Sequence, residues 1–185
     1  MISLPNSRRR FLLFFLTLLL PVSGFLSAAT PCEELAGLIV LRLQISREVA
    51  WSKFCQGKKV ADPAREAAML TALKEKGASL GVSLERVSAL FLPEIVASRQ
   101  VQEELVSGWR MGLPRPKDPP NDLSADIRPR LDALNMTLLR LWSRMPSSCL
   151  DGSFREDAER KILSAGFSRD VARAAPRPFT SSQGN

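Results

Sequence analysis

Apolar residues recur along most of this chain with a period close to 3.6, the spacing of one face of an α-helix. Leu35, Leu38, Ile39, Arg42, Ile45, Val49 and Lys53 form the first such stripe. Thr30-Pro31-Cys32-Glu33 opens it with a capping residue, a proline suited to the first helical position and a glutamate that completes a capping box. The pattern predicts one long helix from about 31 to 56, stopped near Gly57. Asp62-Pro63 predicts a second start, running to about Leu80 with Gly81 as its close. Ser83 caps a third helix that continues to about Arg110. Pro93 lies inside it, where a proline loses a backbone hydrogen bond and clashes one turn back, so a kink near Leu90 is expected.

Residues 111–122 carry four prolines and read as an extended linker rather than a helix. A fourth helix begins at Ser124 or Arg128 and reaches about Met145, with Leu131, Leu134, Leu138 and Leu141 as its stripe. Ser153-Phe154-Arg155-Glu156 is a second capping box, opening a helix to Ala165 that Gly166 ends. A short helix near 169–175 follows, and disorder is expected from 176 to 185. No alternating apolar–polar run suggests a strand. The fold class is therefore all-α, a bundle of five to six helices.

The first 29 residues read differently. Arg8, Arg9 and Arg10 precede an apolar run from Phe11 to Leu20, and Ser27-Ala28-Ala29 offers small residues at a cleavage spacing. This is the pattern of a secretory signal peptide cut after Ala29. Ser7 to Leu13 also resembles a twin-arginine export signal. Removal of the leader takes three arginines and no acids, lowering the net charge from +7 to +4. No dense basic run with interleaved aromatics remains, so no nucleic-acid footprint is seen. The 30–175 segment is long enough for one domain with a real core, and no membrane span is expected in it. It would function as a periplasmic or secreted protein.

Export into an oxidising compartment permits one disulfide among Cys32, Cys55 and Cys149, leaving one thiol over. Spacing alone does not fix the pair. Cys149 with Cys32 is the preferred reading, because Cys55 is two residues from Lys53 and a bridge there would crowd the candidate site. The chain has no His, and the cysteines show no metal-ligand spacing.

Candidate chemistry lies in polar residues on the apolar faces. Arg42 and Lys53 are eleven residues apart, about three helical turns, and share one face with Ser46 and Val49 between them. A cation on such a face needs a partner. Arg65 and Glu66 fall in the first turn of the second helix, behind Asp62. Ser98 and Gln102 are one turn apart on the third. Cations with hydroxyl and amide donors describe a pocket for a small anion with several oxygens. The parts for nucleophilic attack are missing. Each residue also has an ordinary explanation: Asp62 as a helix cap, Arg65 and Glu66 as a first-turn pair, Lys53 as a solvated lysine.

Taken together, Arg42, Lys53, Asp62-Pro63-Ala64-Arg65-Glu66, and Phe91-Leu92-Pro93-Glu94-Ile95-Val96-Ala97-Ser98 with Gln102 resemble the all-helical chorismate mutases. The leader and the helices after the third are similar to the exported gamma subclass. The resemblance implies rearrangement of chorismate to prephenate, without a cofactor, in a homodimer. It implies that Arg42 and Arg65 bind two carboxylates with help from Ser98. Lys53 and Gln102 would bond the ether oxygen, and Glu66 with the backbone at Asp62 would hold the ring hydroxyl. A further arginine is implied on the fourth helix, where Arg130 and Arg140 are the candidates. Asn135-Met136-Thr137 is a glycosylation sequon, of little weight on a helix.

Two other classes compete. A non-catalytic exported protein could bind small carboxylic acids or a partner helix, but it has no need of donors aimed at an ether oxygen. A structural envelope protein without a ligand predicts Arg42 and Lys53 exposed and apart.

Overall fold

The computed structural model describes residues 29–146, 149 and 152–177. The proposed leader therefore lies almost wholly outside the described residues, as do residues 178–185. Of the expected disordered tail, Pro176 and Arg177 are described, the first buried and the second exposed.

Among the described residues six α-helices follow one another: α1 (Pro31–Cys55), α2 (Pro63–Ser79), α3 (Leu84–Arg110), α4 (Arg128–Ser143), α5 (Gly152–Ser164) and α6 (Arg169–Ala174). The local signals act where the sequence puts them. Thr30 accepts from the Glu33 amide while Glu33 reaches back to the Thr30 amide. Asp62 caps α2 through the Arg65 amide, and Ser83 caps α3 through the Arg86 amide. Gly81, at φ +73°, closes α2: its amide reaches the Ala78 carbonyl and the Val82 amide reaches the Gly77 carbonyl. This double closure satisfies two carbonyls that a helix end otherwise leaves open. α3 stays helical on both sides of Pro93. α5 begins at Gly152, so Ser153 sits in its first turn rather than ahead of it.

α1 is the central element and packs against α3, α4 and α5. Its Leu35, Ile39 and Leu43 are fully buried beside Leu90 and Phe91 of α3 and Leu138 and Leu139 of α4. α2 lies on α3 at close range, because a Cβ at Gly77 would collide with the Val87 side chain. A smaller cluster, Ala50, Val106 and Trp109 with Trp51, Phe54 and Val60, covers the far end of α1. It also fastens the proline-rich linker, since the Trp51 indole donates to the Asp118 carbonyl at 3.0 Å and Arg115 lies over the Phe54 ring. Cys32 and Cys149 form the disulfide, tying the start of α1 to the α4–α5 connection, and Cys55 is free and exposed.

Between linker and α4 comes a feature absent from the sequence reading, a π-helical turn over Leu123–Ile127. Asp122 starts it by accepting from the Ser124 and Ala125 amides, which hold its carboxyl below the usual range. The wider turn runs directly into α4 and shifts the phase of every residue after it. Among the described residues no helix is long and apolar enough to cross a membrane.

Candidate active site

A cavity opens between α1, α2, α3 and the start of α4, and Arg42, Lys53, Asp62, Arg65, Glu66, Ser98 and Gln102 all line it. Ser46 and Val49 form its floor between the two α1 cations. Arg42 is 2% exposed and Lys53 8% exposed, so the reading in which both are solvated surface cations does not hold.

Arg42 is held from three sides. Its Nε donates to Oδ1 of Asn135 at 3.0 Å, and its Nη1 donates to the Glu94 carbonyl at 2.8 Å and to the Ser98 hydroxyl. Nη2 has no protein partner among the described residues. Asn135, 1% exposed, was missed by the sequence reading. It sits on α4, 93 residues from the arginine it holds. Its burial also removes it as a glycosylation acceptor.

Lys53 Nζ donates to Oε1 of Gln102 at 3.1 Å and to the Val60 carbonyl. Gln102 Nε2 donates in turn to the Ser98 carbonyl at 3.0 Å. An ammonium has three N–H donors and a primary amide two, so each group keeps one N–H uncommitted. Burial lowers the Lys53 pKa below the usual lysine range; Asp62 and Glu66 oppose that shift, while Arg128 and Arg99 add to it.

The rim is less free. Arg65 Nη2 contacts both carboxylate oxygens of Asp132, at 2.9 and 2.8 Å, where both residues are well exposed. Glu66 is paired with Arg99, a residue between Ser98 and Gln102 that the sequence reading passed over. Asp62, besides capping α2, accepts from Arg128 at 3.4 Å.

Arg128, at the head of α4, lines the cavity. The two arginines expected from that helix do not. Arg130 forms a two-pronged pair with Glu48, at 2.8 and 2.9 Å, and Arg140 is exposed. Arg128 and Arg130 are two residues apart and so point to roughly opposite sides of α4, and Arg140 is more than three turns further along the helix.

Fold and site together define a small all-α protein with a cation-rich pocket, buried at Arg42 and Lys53, suited to a compact polycarboxylate. Residues 33–103 match the family model described as chorismate mutase type II. The chain is 28% identical to the secreted chorismate mutase of Mycobacterium tuberculosis over 170 residues, covering 86% of this chain and 85% of that protein. Identity to the secreted chorismate mutase of Mycolicibacterium smegmatis is also 28%, over 145 residues and 76% and 77% of the two chains. The crystal structure of the chorismate mutase from Burkholderia thailandensis superposes with a TM-score of 0.70 at 27% identity, covering 82% of this chain and all of that one. The secreted chorismate mutase from Yersinia pestis has the same fold, with a TM-score of 0.70 at 21% identity over 80% and 96% of the chains. The chain is thus similar to the type II chorismate mutases, in sequence over residues 33–103 and in fold over about four fifths of its length.

Proposed function

We propose that this protein is an exported chorismate mutase, converting chorismate to prephenate in the cavity between α1, α2, α3 and the head of α4. The observation that carries the reading is the contact between Lys53 and Gln102, two buried donors side by side above the Arg42 floor. A simple carboxylate binder would not need that pair. The rearrangement is pericyclic and calls for no nucleophile or proton transfer. It calls for a folded reactive conformer of a flexible dianion, which is a positioning task, and for donors where charge grows on the ether oxygen.

In this reading the free Nη2 of Arg42 takes one carboxylate, with Ser98 beside it. Arg65 and Arg128 take the other at the rim, Arg65 exchanging part of its contact with Asp132. The uncommitted N–H groups of Lys53 and Gln102 meet the ether oxygen. Glu66, steadied by Arg99, and the backbone at Asp62 hold the ring hydroxyl. All these groups come from one chain, so a homodimer, the assembly implied by the resemblance, would not need to share its sites. Export is supported by the leader pattern, by the Cys32–Cys149 bridge, which persists in oxidising compartments, and by relatives named as secreted.

The direct test mixes the purified 30–185 chain with chorismate and follows its loss against the uncatalysed rate. Conversion to prephenate is expected, and no acceleration would refute the reading. A second test concerns Gln102. An amide donates at every pH, so kcat should stay flat from mildly acidic to mildly basic conditions. In Gln102→Glu an ionised carboxylate would pair with Lys53 and repel the growing charge, so activity should appear only as pH falls. A pH profile of kcat unchanged by the substitution would show that Gln102 does not touch the oxygen.

A further inference from the structure

Behind Arg42, outside the cavity lining, sits an acid that no step above uses. Glu94 is 0% exposed on α3, one turn before Ser98. Among the described residues neither carboxyl oxygen has a hydrogen-bond partner. Its nearest cation is Nη1 of Arg42, at 3.7 Å, too far for a hydrogen bond but close enough for a strong Coulomb interaction in a dry interior. That same Nη1 is anchored by the Glu94 carbonyl and the Ser98 hydroxyl. The guanidinium is thus flanked by Glu94 on one side and the ligand cavity on the other.

We propose that Glu94 is a positioning residue whose carboxyl sets how much of the Arg42 charge is available to the substrate. Uncharged, it leaves the guanidinium field to the incoming carboxylate; ionised, it neutralises that field from behind and competes with the ligand. The inference rests on the reading of Arg42 as a carboxylate ligand.

Burial pushes the Glu94 carboxyl up to about 8, with Arg42 opposing. Among the described residues Arg42, from α1, is the one charged group that acts on it. The polar neighbours of that guanidinium on α4 and α3, Asn135 and Ser98, carry no charge. At neutral pH the site is therefore in its binding form. An arriving dianion adds negative charge next to Glu94 and holds its proton more firmly, so binding above pH 8 must take up a proton.

The experiment measures kcat and KM for chorismate between pH 6 and 9.5 in wild type and Glu94→Gln. In wild type, KM should rise about tenfold from pH 7 to pH 9, the limit for one proton held at about 8, while kcat stays level. Glu94→Gln, an isosteric uncharged group, should keep the wild-type KM of pH 7 across the whole range. A merely structural role would not produce this split. A wild-type KM that is flat across the range, or a variant that keeps the rise, overturns the proposal. If the variant fails to fold, wild type alone decides, by calorimetry of prephenate binding at pH 8.5 in two buffers of different ionisation heat. Uptake of more than about half a proton is expected, and none overturns the proposal. Loss of the proposed activity itself reads differently: chorismate is then not converted even at pH 7.

Discussion

Lys53→Met should lower kcat by about a hundredfold to a thousandfold, the usual cost of removing one donor at a site of developing charge. KM should move far less. The ammonium donates from a buried position, Lys53 being only 8% exposed. A charge placed there acts on the transition state at low dielectric and needs no reorganisation during the reaction. Methionine keeps most of the apolar stem that packs beside Val49, so folding should survive. The Val60 carbonyl and Gln102 Oε1 would each lose their donor, which costs stability but does not change ground-state carboxylate binding at Arg42. Steady-state kinetics with chorismate decide the matter. A kcat within tenfold of wild type would mean that Lys53 is not at the reacting oxygen, and a loss confined to KM would make it a plain substrate anchor.

Removing the disulfide should have the largest effect on stability and almost none on turnover. Cys32 and Cys149 are 117 residues apart in sequence. Closing a loop of that length is worth roughly 4–5 kcal/mol in the chain-entropy model, and native bridges typically return about 2–5 kcal/mol. The Cys32→Ser, Cys149→Ser double variant should therefore unfold at clearly lower denaturant, by about that free energy. Cys32 and Lys53 stand near opposite ends of α1, about 30 Å apart along a straight helix. The folded variant should keep its kcat at low temperature. Chemical denaturation beside a chorismate assay tests both statements. A stability loss under about 1 kcal/mol, or a bridge mapped to Cys55, would count against this account.

Much of this protein is written locally. Thr30-Pro31-Cys32-Glu33, Asp62-Pro63, Ser83 and Gly81 each act on groups within a few residues, so helix starts and stops can be read without knowing the fold. The spacing of Arg42 and Lys53, and of Ser98 and Gln102, likewise follows from the helical period alone. All seven candidate residues do line one cavity.

What the period could not reveal is which distant side chain meets which. Arg65 is held by Asp132, Glu66 by Arg99, and Arg42 by Asn135, across separations of 67, 33 and 93 residues. Those partners are chosen by how the helices cross. The π-turn at Leu123–Ile127 adds a phase shift between linker and α4 that a regular 3.6-residue count does not contain, and only the docking of α4 shows that Arg128, not Arg130 or Arg140, lines the cavity. Glu94 makes the same point from the interior. Its position between Pro93 and Ile95 says nothing of full burial. Only the packing of α1 on α3 places a carboxyl without hydrogen-bond partners behind a guanidinium, where burial, opposed by Arg42, raises its pKa.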